Sequence, residues 1–130
     1  MMNESSSRHP FLDDLADDVV LESSVLRQAV RGRDVVLRIV KAGAAQYATQ
    51  RPRFLGHVGE RSYFEYDVRL QDGKPAAGLV SIVRNADARV TTLHIAFSPL
   101  DAVLSLAAGL RDRLAPELDE RWFLGKETGA

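Results

Sequence analysis

The sequence predicts an α+β fold in which two or three helices cover one face of a strongly bent antiparallel sheet. Three strand patterns joined by short turns fill most of the second half of the chain. One helical apolar stripe precedes these patterns and another follows them. The 130 residues, 45% of them hydrophobic, fit a single domain with one core.

The first half of the chain predicts a short helix, two strands and a longer helix. Residues 1–9 are polar and predict a disordered segment. Pro10 and the carboxylates after it predict a short helix, followed by a strand over 19–24 and a turn with a short return strand over 25–30. Asp34 is the predicted N-cap of the longer helix, which should end before Pro52. The predicted buried face of this helix comprises Val36, Ile39, Val40, Gly43 and Tyr47.

The second half predicts a meander of three strands, over residues 62–70, 78–84 and 90–97. Asp72-Gly73 is the turn signal between the first two strands, and residues 85–88 form the next turn. The second strand is apolar on both faces apart from Ser81. The first and third strands alternate, and their predicted inward residues are Phe64, Tyr66, Val68, Leu70, Leu93, Ile95 and Phe97.

The segment 98–101 predicts the start of the last helix. Ser98 offers an N-cap hydroxyl, Pro99 suits the first helical position, and Asp101 places a carboxylate in the first turn. Pro116 ends this helix. Its predicted buried stripe comprises Leu100, Val103, Leu104, Ala107, Leu110 and Leu114.

The domain is predicted to span residues 10–124, with a tail over 125–130. Trp122, Phe123 and Leu124 lie among charged residues near its end, and we expect them to dock on the domain. Strands that are apolar on both faces indicate that both faces of the sheet are covered. The helices cover only one face, so a second copy of the chain is expected to cover the outer face, which predicts a homodimer. Its predicted interface comprises Leu79, Val83, Val90 and the face of His94.

Composition excludes several classes of function. The 17 basic and 18 acidic side chains give a net charge of −1, which argues against nucleic-acid binding. The absence of cysteine excludes disulfides and thiolate chemistry, and three widely spaced histidines make no helical metal motif. We therefore expect no metal and no cofactor. No apolar run reaches the roughly 20 residues of a membrane span, and the polar N-terminus predicts a cytoplasmic protein.

Three stretches in order resemble one known superfamily. They are the acidic entry to the first strand at 15–23, the Val30-Arg31-Gly32-Arg33-Asp34 helix start, and the hairpin at 72–75 with the two strands after it and the exit at Arg89-Val90. Together they resemble the nuclear transport factor 2-like superfamily, and within it the SnoaL-like and ketosteroid-isomerase-like branch. This resemblance implies a cone-shaped curved sheet wrapped by helices around a mostly apolar pocket. It does not specify a function, because this superfamily includes enzymes and non-catalytic dimers.

The resemblance also indicates which catalytic groups to look for. A ketosteroid-isomerase-like site needs a carboxylate base, a protonated Asp and a donor Tyr. The base position falls at Ser23, and the protonated Asp position falls at Ile82 or Ser81. We expect the helix that would carry the Tyr to be missing, since only nine residues precede Pro10. The chain therefore lacks the acids of that chemistry, and whether it is an enzyme stays open, with the balance against it.

Three hypotheses follow for the predicted pocket. The first is a homodimer that binds a small apolar molecule without catalysis. The second is an isomerase or cyclase of a polyketide- or terpenoid-like substrate, with His57 or Tyr66 as the catalytic group. The third is a structural dimer whose cavity is filled by side chains. The predicted ligand-binding residues are Leu21, Ser23, Tyr47, Phe64, Tyr66, Val68, Val80, Ile82, Leu93, Ile95 and Phe97.

Overall fold

The computed structural model describes residues 10–124, and within them it has six β-strands and two α-helices. The strands are β1 (Leu15–Ser23), β2 (Val30–Arg31), β3 (Tyr47–Val58), β4 (Arg61–Leu70), β5 (Pro75–Arg84) and β6 (Val90–Ser98). The helices are α1 (Arg33–Ala44) and α2 (Leu100–Leu114), with 3-10 turns at Pro10–Asp14 and Glu120–Trp122. The predicted disorder of 1–9 and the predicted tail 125–130 lie outside the described residues.

All six strands form one curved sheet in the order β2-β1-β6-β5-β4-β3. The α+β class predicted from the sequence is confirmed. One pairing differs from the antiparallel expectation: β1 runs parallel to β6, with Leu21 opposite Leu93, so the sheet is mixed. The meander from β3 to β6 is antiparallel throughout, and Tyr66 of β4 lies opposite Gly78 of β5.

The core lies on the inner face of the sheet, between the strands and the two helices. The most deeply buried inner side chains are Val19, Leu21, Val80 and Leu93, each at most 1% exposed. The helices contribute Val36, Ile39, Ala102, Leu106 and Leu110. Burial of these apolar surfaces is the main stabilising contribution to the fold.

The C-terminal segment docks on the domain, as its aromatic residues predict. Phe123 is fully buried, and Trp122 packs at its edge with ring centroids 6.3 Å apart. The backbone N–H of Arg27 donates to the carbonyl of Trp122 over 2.8 Å. These contacts fix the segment after α2 to the turn that follows β1.

The prediction that Tyr47 lies on the first long helix is wrong. Helix α1 ends at Ala44, and Tyr47 is the first residue of β3, opposite Leu70. Strand β3 itself was not predicted, because its side chains are mostly exposed and it contains Pro52. Proline is tolerated there because β3 is an edge strand, and the register shifts between Pro52 and Phe54.

Neither predicted N-cap is used. Gly32, with a φ of 117°, is the N-cap of α1, so Asp34 lies inside the first turn. Ser98 remains the last residue of β6, and Pro99 occupies the N-cap of α2. The carbonyl of Pro99 accepts from the N–H groups of Ala102 and Val103. The Ser98 hydroxyl therefore makes no capping bond, and the capping role predicted for it is wrong.

The buried faces predicted for α2 and β6 are each correct only in part. In α2, Ala107, Leu110 and Leu114 are buried as predicted, but in the first half of the helix Ala102 and Leu106 are buried, whereas Leu100 and Leu104 are exposed. In β6 the predicted outer residue Val90 is fully buried. The physical reason is a register shift: Val83 pairs with Thr92 but Arg84 pairs with Val90, so one extra residue changes the side that Val90 faces.

The outer face of the sheet carries no helix among residues 10–124. Leu79 is 45% exposed on this face and lies opposite Glu65 of β4 and Ala96 of β6, and half-buried Tyr63 and Val83 lie further along the same face. At one side His94 lies 3.5 Å from the carboxylate of Glu22. In the described part of the chain, neither helix is long and apolar enough to cross a membrane.

Candidate functional site: an apolar groove beside a tyrosine pair

A small cavity of about 40 Å³ lies inside the cone. Its polar groups are the hydroxyls of Ser23, Tyr47 and Tyr66, and the hydroxyl oxygens of the two tyrosines lie 3.0 Å apart. This volume accommodates at most a few water molecules, since each needs about 10–15 Å³ of such a cavity. Side chains therefore fill nearly all of the space inside the cone.

Burial changes the acid–base behaviour of the tyrosine pair. Burial raises the pKa of Tyr47 well above its usual range, and the neighbouring Tyr66 raises it further. Burial also raises the pKa of Tyr66, although its hydrogen bond with Tyr47 acts in the opposite direction. Both phenols consequently stay protonated at neutral pH and serve as hydrogen-bonding groups, not as bases.

A much larger groove of about 610 Å³ adjoins this cavity. Phe11 and Tyr66 line both spaces, so they form the boundary between them. The volume falls within the range of about 300–1,000 Å³ that is typical of small-molecule sites. The groove runs along the inner side of the β3–β4 hairpin and is lined mainly by apolar side chains: Phe11, Pro52, Phe54, Leu55, Phe64 and Ile82.

Polar side chains also line the groove: His57, Ser62 and Arg84 lie toward the tip of the β3–β4 hairpin, and Gln50, Arg53 and Glu65 lie further along it. Nδ1 of His57 lies 2.8 Å from Oγ of Ser62, which faces it across the hairpin. Arg84 also lines the groove, and its Nη1 donates to Oδ2 of Asp14 over 3.1 Å. These groups can donate and accept hydrogen bonds, but within residues 10–124 no third side chain is hydrogen-bonded to the imidazole of His57 to orient it.

The predicted ligand-binding residues divide between the two spaces. Those bordering the small cavity are Leu21, Ser23, Tyr47, Tyr66, Val80, Ile95 and Phe97. Phe64, Ile82 and Tyr66 border the groove. Val68 and Leu93 are buried and border neither space. Of the two predicted catalytic candidates, His57 lies at the polar end of the groove and Tyr66 at its inner boundary.

The positions that resemble those of an isomerase carry no acid. Ser23 borders the small cavity, and its oxygen accepts from the N–H of Val25 over 3.3 Å. Ile82 is buried beside the groove. Among residues 10–124, no three His, Asp or Glu side chains come together in a way that could hold a metal ion.

Several groove residues were missed by the sequence reasoning. Arg84 continues the inward alternation of Val80 and Ile82, so strand parity could have assigned it to the inner face. Leu55 and Phe54 could not have been found in this way, because a register shift interrupts the alternation of β3. Phe11 follows Pro10 in a short turn whose orientation the sequence does not specify.

The six-stranded curved sheet and its helices define the nuclear transport factor 2-like fold, which confirms the fold that the sequence resemblance implies. The solved structures that share it come from proteins of diverse or unknown function. An uncharacterised bacterial protein with a cystatin-like fold from Silicibacter pomeroyi matches with a TM-score of 0.76 and 19% identity, over 82% of this chain and 75% of that one. A steroid delta-isomerase from Pseudomonas aeruginosa matches with a TM-score of 0.74 and 19% identity, over 82% and 79%.

A third solved structure carries the family name without a function. It is an NTF2-like protein of unknown function from Mesorhizobium loti, with a TM-score of 0.60 and 17% identity over 69% of this chain and 76% of that one. No protein-family model and no curated protein matches the sequence. At these identities the similarity is one of fold, and function has to be argued from the site.

Proposed function

We propose that this protein binds a small apolar molecule in the groove between the β3–β4 hairpin and the turn at Phe11. The observation that carries the proposal is the combination of a site-sized groove with a mainly apolar lining. Leu55 and Phe54 are 65% and 54% exposed, which is unusual for large apolar side chains grouped on one edge strand. A bound apolar molecule would remove this surface from water.

The groove supports binding better than the inner cavity does. The cavity of about 40 Å³ is too small for an organic molecule of more than a few atoms. Tyr66 lines both spaces, so an oxygen atom of a ligand in the groove can approach the tyrosine pair. Because both phenols stay protonated, that oxygen would act as a hydrogen-bond acceptor.

Binding without catalysis is favoured over an isomerase or cyclase. The structural similarity to a steroid delta-isomerase suggests the alternative. However, proton transfer next to a carbonyl needs a base, and the described residues bordering the small cavity include no carboxylate or imidazole. The groove itself contributes the imidazole of His57 and the carboxylate of Glu65; Glu65 is paired with Arg53, so His57 is the candidate group for a different proton-transfer reaction.

We further propose that the protein is a homodimer through the outer sheet face. Leu79, Tyr63 and Val83 form an apolar centre on a face that no helix covers among the described residues. Glu65 lies directly opposite Leu79, and Arg53, which also borders the groove, pairs with Glu65 and Asp67, so charged groups border Leu79 on the β4 side. An apolar centre with a polar rim is the usual arrangement of an interface between two copies of a chain.

Titration with the neutral apolar dye Nile red tests the binding proposal. The wild-type chain should bind the dye saturably with an increase in fluorescence. Leu55→Glu should weaken binding at least fivefold, because it places a carboxylate in the apolar lining. Val58→Glu is the matched control, since Val58 is 73% exposed on the same strand and does not line the groove. Equal affinities of the two variants would show that the dye binds elsewhere and would reject the proposal.

A further inference from the structure

Arg84 is the charged residue that aims from the end of β5 into the groove. Val80, Ile82 and Arg84 alternate on the inner face, and Arg84 lines the groove beside Ile82. Its side chain is only 30% exposed. A partly shielded guanidinium next to apolar side chains offers stronger interactions than one in open solvent.

The hydrogen bonds of Arg84 leave one edge of its guanidinium available. Nη1 donates to Oδ2 of Asp14 over 3.1 Å and to the carbonyl of Ala88 over 2.8 Å. Both hydrogens of Nη1 are thereby engaged, and these two acceptors orient the planar group. Nε and Nη2 have no partner among residues 10–124. Two adjacent N–H groups of this kind match the two oxygens of a carboxylate.

The surroundings of Arg84 favour an anion over a cation. The described carboxylate that lines the groove is Glu65, and it is already paired with Arg53 over 3.1 Å. Ser62 lies opposite Ile82 on the adjacent strand and carries a hydroxyl within hydrogen-bonding distance of His57. This end of the groove therefore offers hydrogen-bond donors, and the rest of its lining is mainly apolar apart from Gln50 and the paired Arg53 and Glu65.

We infer that the ligand is an apolar molecule ending in a carboxylate, which Nε and Nη2 of Arg84 bind in a bidentate manner. The apolar body then lies along Phe64 and Leu55, toward Tyr66. This inference rests on the proposed function, because it names the class of ligand for the same groove. It adds a charged end that the apolar lining alone does not require.

A pair of probes that differ in one charge tests the inference. 11-(Dansylamino)undecanoic acid and its methyl ester share their apolar chain and their fluorophore. The acid should bind the wild-type chain at least tenfold more tightly than the ester. Arg84→Met should abolish this preference by weakening the acid and leaving the ester unchanged. Arg84→Lys, which keeps the charge but not the two parallel donors, should retain part of the preference.

The control is Arg31→Met, which makes the same charge change at an exposed position of β2 outside the groove. It should leave the preference for the acid intact. Arg84 also pairs with Asp14, so its substitution could destabilise the fold, and melting temperatures establish which variants fold. If Arg84→Met does not fold, Arg84→Lys decides the outcome.

Each outcome separates the inference from the proposed function. Equal binding of acid and ester, or a preference that survives both Arg84→Met and Arg84→Lys, overturns the inference and leaves groove binding of Nile red standing. Absence of saturable binding by either probe overturns the inference for this chain. If Nile red also fails to distinguish Leu55→Glu from Val58→Glu, the proposed function fails with it.

Discussion

The hydroxyl oxygens of Tyr47 and Tyr66 lie 3.0 Å apart, although their backbones are not opposite each other in the sheet. Tyr47 pairs with Leu70 and Tyr66 pairs with Pro52, so the two long side chains converge diagonally across β3 and β4. Phe97 packs edge-on against Tyr47, with ring centroids 6.4 Å apart. The pair is therefore held by packing on the inner face as well as by its own hydrogen bond.

The first prediction is that stability falls steeply above about pH 10. In the unfolded chain both tyrosines ionise near pH 10, whereas burial raises the pKa of each in the folded state. Their contribution is fully present below about pH 10 and is lost as the pH rises toward the folded pKa values, because only the unfolded state releases protons. Urea unfolding between pH 8 and about pH 11 measures how steeply the free energy of unfolding falls with pH. Tyr47→Phe and Tyr66→Phe should each make this fall less steep.

The matched control is Tyr63→Phe, which removes the hydroxyl of the half-buried tyrosine on the outer face. If stability falls as steeply with pH in Tyr47→Phe and Tyr66→Phe as in the wild type, the alkaline loss of stability does not come from this pair.

The second prediction concerns the glycine beneath Tyr66. A Cβ on Gly78 would lie 2.6 Å from Cζ of Tyr66, which faces it on the adjacent strand. Gly78→Ala should therefore displace the buried ring and destabilise the protein by about 1–3 kcal/mol. Gly43→Ala is the control, because a Cβ there meets no atom within 4 Å and alanine favours the helix. Thermal unfolding should show opposite signs for the two variants, and equal signs would contradict the close approach.

The sheet and its core could be predicted because their residues alternate cleanly. In β4, Tyr66 and Val68 are buried as the pattern predicts, and the Asp72-Gly73 turn forms where it is expected, with Gly73 at a φ of 91°. The inner side of β6 follows for the same reason, up to the register shift near Val90. Alternation is informative wherever one face of a strand is buried and the other is not.

The groove could not be predicted because its main wall lacks such a pattern. Strand β3 has exposed side chains on both faces and contains Pro52, so it shows neither alternation nor a run of strand-forming residues. The buried face of α2 was mispredicted for a different reason. Leu100 and Leu104 were placed in the core because they are large and apolar, whereas the smaller Ala102 is the residue that is buried there. Both errors come from tertiary packing that overrides local propensity.

The third prediction is that Phe123 anchors the C-terminal segment to the core. Its side chain is fully buried, so Phe123→Ala should cost about 3–5 kcal/mol through lost burial and the cavity left behind. Trp122→Ala should cost less, because Trp122 is only half-buried. Urea unfolding of both variants measures the difference. A smaller loss for Phe123→Ala than for Trp122→Ala would mean that the segment docks through the tryptophan.

The fourth prediction is that the protein does not isomerise a β,γ-unsaturated ketosteroid. The resemblance to ketosteroid isomerases implies acids at the positions of Ser23 and Ile82, which carry none, and the cavity beside Ser23 has a volume of about 40 Å³. A spectrophotometric assay of the conjugated product should give a rate indistinguishable from buffer. An enzymatic rate that survives Ser23→Ala would show that another group, with His57 the first to examine, acts as the base.

The last prediction concerns the outer face of the sheet. If two copies pack through it, sedimentation at micromolar concentration should give about twice 14.3 kDa. Leu79 lies near the centre of that face and is 45% exposed, so Leu79→Glu should bury a carboxylate in the interface and shift the protein toward monomer. Leu100→Glu is the matched control, since Leu100 is 69% exposed on α2, away from this face. A monomeric wild-type protein would reject the dimer, and dissociation by Leu100→Glu alone would assign the contact to α2 instead of the sheet.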